Sequence, residues 1–104
     1  MQKLTYAFDL DGTLCTVTNG FYENAIPFEG RIEHVNKLHQ EGHTIIIFSA
    51  RGATSKRDLW EFTFSQLNSW GLKFHELIVG KPHFDLLIDD KAIFSESYFE
   101  ENSQ

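Results

Sequence analysis

The chain has 104 residues, 41% of them hydrophobic with 10 Phe, and a formal charge of −6 from 15 acids against 9 bases. That length suits one domain spanning residues 1–104, and the apolar content argues against disorder. The acidic balance argues against nucleic acid as a partner, because neutralising a phosphate backbone needs clustered Lys and Arg. One cysteine, Cys15, excludes an internal disulfide and a multi-cysteine zinc site. The longest apolar run, Ile45–Phe48, is far too short for a membrane span. MQKLTYAF lacks a signal-peptide core, so the expected setting is cytoplasmic with no membrane partner.

Leu4–Leu10 mixes apolar, aromatic and β-prone residues and reads as a strand that ends at the first acid. Residues 15–30 have no clear period and hold Gly20, Pro27 and Gly30, which predicts a loop with a small hairpin or flap. Ile32, Val35 and Leu38 recur at steps of three before Gly42, the pattern of an amphipathic helix over Arg31–Glu41 with a glycine C-cap. Thr44–Ser49 (TIIIFS) is a continuous apolar run of the kind buried on both faces of a sheet. A second helix is expected over Ser55–Trp70, with Leu59, Phe62, Leu67 and Trp70 as core candidates and Thr63 and Gln66 interrupting its apolar face. Gly71 stops it. Glu76–Val79 and Phe84–Ile88 read as two further strands, and Ser95 as the N-cap of a last helix through Glu101. This alternation predicts a mostly parallel sheet of about four strands in a minimal Rossmann-like α/β three-layer sandwich. Ligands of such sheets bind at the C-terminal ends of the strands.

Those ends carry an unusual set of side chains: Asp9 and Asp11, then Ser49 and Arg51, then Lys81, then Asp89 and Asp90. Each has a bland explanation. Asp-Gly is a common turn pair, and Lys81 alone reads as a surface lysine. Ser49 either ends a strand or holds a phosphate oxygen. Arg51 is either solvated or a fork for an anion. A calcium loop fails on spacing, since its sixth and twelfth positions from Asp9 would be Leu14 and Gly20. Two carboxylates two residues apart leave an extended chain on the same side, and they repel unless a cation or proton lies between them. Magnesium suits such a site, since it takes a few carboxylates and substrate phosphate oxygens. The five histidines show no ligand spacing, and Cys15 has no base partner, so a buried, inert thiol is expected.

FDLDGTL, IIIFSAR, GKP and LLIDD, in that order, resemble the four motifs of the haloacid dehalogenase superfamily of phosphohydrolases. NGFYENAIP and IDDKAI resemble, more narrowly, the small phosphatases encoded with capsule polysaccharide biosynthesis. The resemblance implies an aspartyl-phosphate mechanism with Asp9 as nucleophile and Asp11 as general acid and base. It implies magnesium held by Asp9, the Asp11 carbonyl and Asp89, with Asp90 in support. Ser49 and Lys81 would bind the phosphoryl group, and Arg51, Tyr22 and Asn24 the rest of the substrate. No segment is long enough for the cap domain of most relatives. The open site therefore suits either a large substrate or a homo-oligomer whose second subunit supplies a wall, and the aromatic content favours the latter. The implied activity is a magnesium-dependent phosphomonoesterase for a small sugar, polyol or related phosphate. The alternatives are a phosphatase of a nucleic-acid end or phosphoprotein, and a catalytically idle binding module.

Overall fold

The computed structural model describes residues 2–53 and 58–102. Three short runs form its sheet: β1 (Thr5–Phe8), β2 (Thr44–Phe48) and β3 (Glu76–Ile78), parallel and in the order β1-β2-β3. Tyr6 lies beside Ile45, Phe8 beside Ile47 and Ile47 beside Leu77. The two-residue period puts these side chains on one face. The helices α1 (Glu29–Gln40), α2 (Trp60–Ser69) and α3 (Ser95–Asn102) cover that face. Ile32, Val35 and Leu38 come from α1, Leu67 from α2 and Phe99 from α3, and all join Phe8, Ile45, Ile47 and Leu77 in one core. The helix α1 ends as expected, with Gly42 at φ +99° and its N–H donated to the His39 carbonyl. No helix among the described residues is long and apolar enough to cross a membrane.

The fold is thus a small α/β unit with a parallel sheet, but in two layers rather than three. Strands that neighbour one another in sequence order, joined by crossovers of one hand, put their helices on the same face. The opposite face stays open: Ala7 is exposed, Ile46 half-buried, and Phe48 and Ile78 are more than one-third exposed. Packing on one face also changes the expectation for α2. Thr63 and Leu67, one turn apart, point into the protein with Leu59 just before them, whereas Phe62 is 40% exposed. Phe62 precedes Thr63 by one residue and so lies about 100° round the helix from the buried face. Trp70 packs against the core from its margin. The part of the expected helix on residues 54–57 lies outside the described residues.

The fourth strand is a correction. Phe84–Ile88 forms no strand, and Leu86 and Ile88 are 81% and 94% exposed. The cause is reach. The N–H of Gly80 is donated to the Arg51 carbonyl at 2.9 Å and that of Lys81 to the Ser49 carbonyl at 3.0 Å, which fixes this stretch at the C-terminal edge of the sheet. A parallel strand beside β1 must start at the opposite edge, roughly 15 Å or more away. The three steps from Lys81 to Phe84 span at most about 11 Å. Among the described residues the sheet therefore has three strands rather than about four.

Candidate functional site

The stretch after β1 winds around one atom. The Leu10 carbonyl accepts the N–H groups of Thr13 at 3.0 Å, Leu14 at 2.8 Å and Cys15 at 3.3 Å. Gly12 makes this turn with φ +89°, and a Cβ there would meet Val17 Cγ2 at 3.2 Å, so both conformation and space call for glycine. Leu10, Leu14 and Cys15 are fully buried and draw the turn into the core, which leaves Asp9 and Asp11 part-exposed at its rim. The following loop folds back on the turn. Thr16 N–H is donated to Ile26 at 3.0 Å and Phe28 N–H to Leu14 at 2.9 Å, which makes the small flap expected of residues 15–30.

Each carboxylate has its own cation. Lys81 Nζ donates to Asp9 Oδ1 at 2.9 Å, and Thr13 Oγ1 to Asp9 Oδ2 at 3.2 Å. The ammonium lies 5.1 Å from the Phe48 ring centre and 5.7 Å from that of Phe84. Asp11 takes a two-pronged contact: Arg51 Nε donates to Oδ2 at 2.9 Å and NH2 to Oδ1 at 2.8 Å. The remaining guanidinium nitrogen of Arg51 donates to Gln66 Oε1 at 2.7 Å and Thr63 Oγ1 at 3.3 Å. The Tyr22 ring lies 4.4 Å from the guanidinium carbon, and Gln66 Nε2 donates to the Tyr22 carbonyl at 2.8 Å. Arg51 is 1% exposed, so its charge is matched within the fold by one carboxylate and spread over four groups. Thr63 and Gln66, which interrupt the apolar face of α2, are the residues that hold it.

The expected site residues thus separate into three groups. Asp9, Asp11 and Lys81 meet at the sheet edge. Ser49, Arg51 and Tyr22 lie behind them. Ser49 is fully buried, and its hydroxyl accepts the Arg51 N–H at 3.1 Å, so it shapes the turn that delivers the arginine. Arg51 faces Asp11 rather than open space, and Tyr22 backs it; Asn24 is exposed on the flap. Asp89 and Asp90 stand apart on the exposed segment. A hydrogen bond with Asp90, then the Lys91 N–H, holds the Asp89 carboxyl below its ordinary range. Thr13, Thr63 and Gln66 contact these residues, although their place in the sequence did not mark them out. Cys15 is buried as expected, and burial first, then Asp11, pushes its thiol up to about 12.

Among the described residues no three His, Cys, Asp or Glu side chains gather as a ligand set. Both Asp9 oxygens and both Asp11 oxygens already accept hydrogen bonds from Lys81, Thr13 and Arg51. A hollow lies elsewhere, between α1 and α3, lined by Arg31, His34, Glu96 and Phe99 but not by Asp9 or Lys81.

No family model and no curated protein matches this chain. A crystal structure of a target protein from Vibrio cholerae is similar, with a TM-score of 0.81, 28% sequence identity, and coverage of 93% of this chain and 87% of that one. The two share their fold over nearly their whole lengths.

Proposed function

We propose that this chain is a phosphomonoesterase of the haloacid dehalogenase type, a capless minimal Rossmann-like domain. Its substrate would be a small sugar, polyol or related phosphate used to build surface polysaccharide. The observation that carries the reading is Asp9. It is a part-exposed carboxylate at the end of a parallel strand, with the Lys81 ammonium 2.9 Å away. A nucleophile beside a cation is what attack on a phosphate dianion requires, because the cation offsets the charge that approaches and develops.

In this reading an Asp9 oxygen attacks phosphorus, the bond from phosphorus to the leaving oxygen breaks, and an aspartyl-phosphate forms. The departing alkoxide takes a proton from Asp11. Water then attacks the phosphoryl group, Asp11 takes a proton of that water, the bond from phosphorus to the Asp9 oxygen breaks, and inorganic phosphate leaves. With both its oxygens on the Arg51 fork, Asp11 must free one of them and take up a proton from solvent before it donates. Lys81 moves from Asp9 to the phosphoryl oxygens as substrate enters.

Phosphate release from a panel of sugar, polyol, nucleotide and peptide phosphates tests the reading. Turnover of one small-molecule class, lost in Asp9→Asn with the circular dichroism unchanged, is the expected result. Release confined to phosphopeptides or nucleic-acid ends would move the assignment to a macromolecular phosphate. The closed Arg51–Asp11 fork favours a second reading, a binding module without turnover. Silence across the panel, with and without divalent cations, would select it.

A further inference from the structure

Residues 84–94 are the least settled chemistry on the surface. Phe84, Leu86, Leu87, Ile88, Ile93 and Phe94 are between 43% and 94% exposed. They bare on the order of 700 Å² of apolar area, more than the few hundred Å² a monomer usually shows and near the ~800 Å² each partner commits to a stable dimer. The segment is anchored at both ends, by the bonds of Gly80 and Lys81 before it and by α3 after it, where Phe99 is buried and Arg31 pairs with Glu96 at 3.2 Å. β1 is an edge strand whose outer side has no strand beside it. FDLLI has the composition of a strand, yet the chain between Lys81 and Phe84 is too short to lay it along its own β1.

A second copy is free of that limit. We propose that residues 84–88 of one chain add as a fourth, parallel strand to the outer edge of β1 in a second copy, and that the exchange is reciprocal. Leu86, Leu87 and Ile88 then lie beside Tyr6, Ala7 and Phe8 of the partner subunit, and Asp89 lies beside Asp9 of the partner subunit. Both apolar runs end at an acid, which sets this register. Exchange of one element between identical chains is a low-cost route to a closed dimer, and a short hinge such as Lys81–Phe84 favours it.

The apolar half of this argument stands without the proposed activity; the functional consequence rests on it. Each site lacks within its own chain the carboxylates of Asp89 and Asp90, and the exchange supplies them from the other copy. Carboxylates brought together repel unless a cation lies between them, so magnesium should tighten the dimer.

Sedimentation velocity of the full chain, from micromolar to submillimolar concentration, tests the exchange. A species of twice the chain mass is expected, and Ile88→Asp should abolish it while leaving a folded monomer, since Ile88 is 94% exposed. A monomer at every concentration, or a dimer that survives Ile88→Asp, overturns the proposal. A chain carrying both Ala7→Cys and Leu87→Cys should form a disulfide-linked dimer on oxidation. A cross-link within one chain, or none, overturns the proposal. Addition of magnesium chloride should lower the dimer dissociation constant about tenfold, and Asp89→Asn should remove that gain. A dimer that obeys both substitutions but ignores magnesium keeps the exchange and overturns only its catalytic consequence.

Discussion

DLDGTLC at residues 9–15 and FDLLIDD at residues 84–90 have nearly the same ingredients, apolar side chains and aspartates, and reach opposite states. In the first, Leu10, Leu14 and Cys15 are wholly buried and each acid rests on a cation from elsewhere. In the second, Leu86, Leu87 and Ile88 face solvent, and Asp89 takes its hydrogen bonds from its neighbours Asp90 and Lys91. Composition does not separate them; connection does. The first stretch follows a paired strand and turns back into the core around one carbonyl. The second leaves the sheet at the edge where a parallel strand would have to end.

The sharpest way to break this contrast is to remove the cation that makes the first stretch tolerable. Arg51→Ala leaves Asp11 at the rim of the core without its fork, and about 3 kcal/mol of stability should be lost. Arg51→Lys should recover little, because one ammonium cannot reproduce the two-pronged contact with Asp11 together with those to Thr63 and Gln66. Lys81→Ala, at the more exposed Asp9, should cost under about 1 kcal/mol. Urea unfolding of the three variants measures the order. Equal losses at Arg51 and Lys81 would mean that the two pairs are not energetically distinct.

A matched pair of truncations sharpens the same contrast. Leu10→Ala should cost about 3 kcal/mol, since the side chain is fully buried. Ile88→Ala, studied at a concentration low enough to keep the chain monomeric, should change stability by less than about 0.5 kcal/mol. The apolar chemistry is comparable and the sites differ only in burial. A large loss at Ile88 under dilution would mean that the segment already packs against its own chain.

What the sequence made legible follows from the same difference. Strands at 4–10, 44–49 and 76–79 and helices near 31–41 and from Ser95 to Glu101 declare themselves locally, by period and by a glycine stop, and each appears within a few residues of its expected bounds. Asp9, Asp11 and Lys81 come together because strand ends share an edge. The partners of the acids were not legible. Arg51 lies 40 residues from Asp11 and Lys81 lies 72 from Asp9, and which cation meets which acid depends on turns that no local pattern encodes. One clue was in view: Thr63 and Gln66 break the apolar face of α2, and polar residues on a core face call for a buried partner. The fourth strand misled for the converse reason. FDLLI has strand chemistry, but strand pairing also needs a path, and counting residues from Lys81 excludes one within the chain.

The smallest expected effect concerns the anchor behind the exposed segment. His34 Nε2 lies 2.8 Å from the Tyr98 hydroxyl, and its ring meets those of Tyr98 and Phe99 edge-on, so it helps to seat α3 on α1. Burial, then the charge of Lys37, holds His34 below its ordinary 6.5, while burial and then Tyr6 push Tyr98 up to about 12. Tyr98 therefore stays neutral across the acid range, and only the histidine titrates there. The unfolded chain binds the proton near the ordinary histidine value and the folded chain only at lower pH. Stability is thus full above the ordinary value and is lost as pH falls from it toward the lowered one. Between about pH 8 and about pH 5 the melting temperature should fall, with α3 loosening first. His34→Gln can keep a hydrogen bond to Tyr98 without titrating, and its melting curve should depend less on pH by the share that His34 contributes. Every other titratable group is common to both proteins, so the difference between the two isolates His34. If the two slopes coincide, the contact between α1 and α3 does not sense protons, and the exposed segment keeps its C-terminal anchor throughout this range.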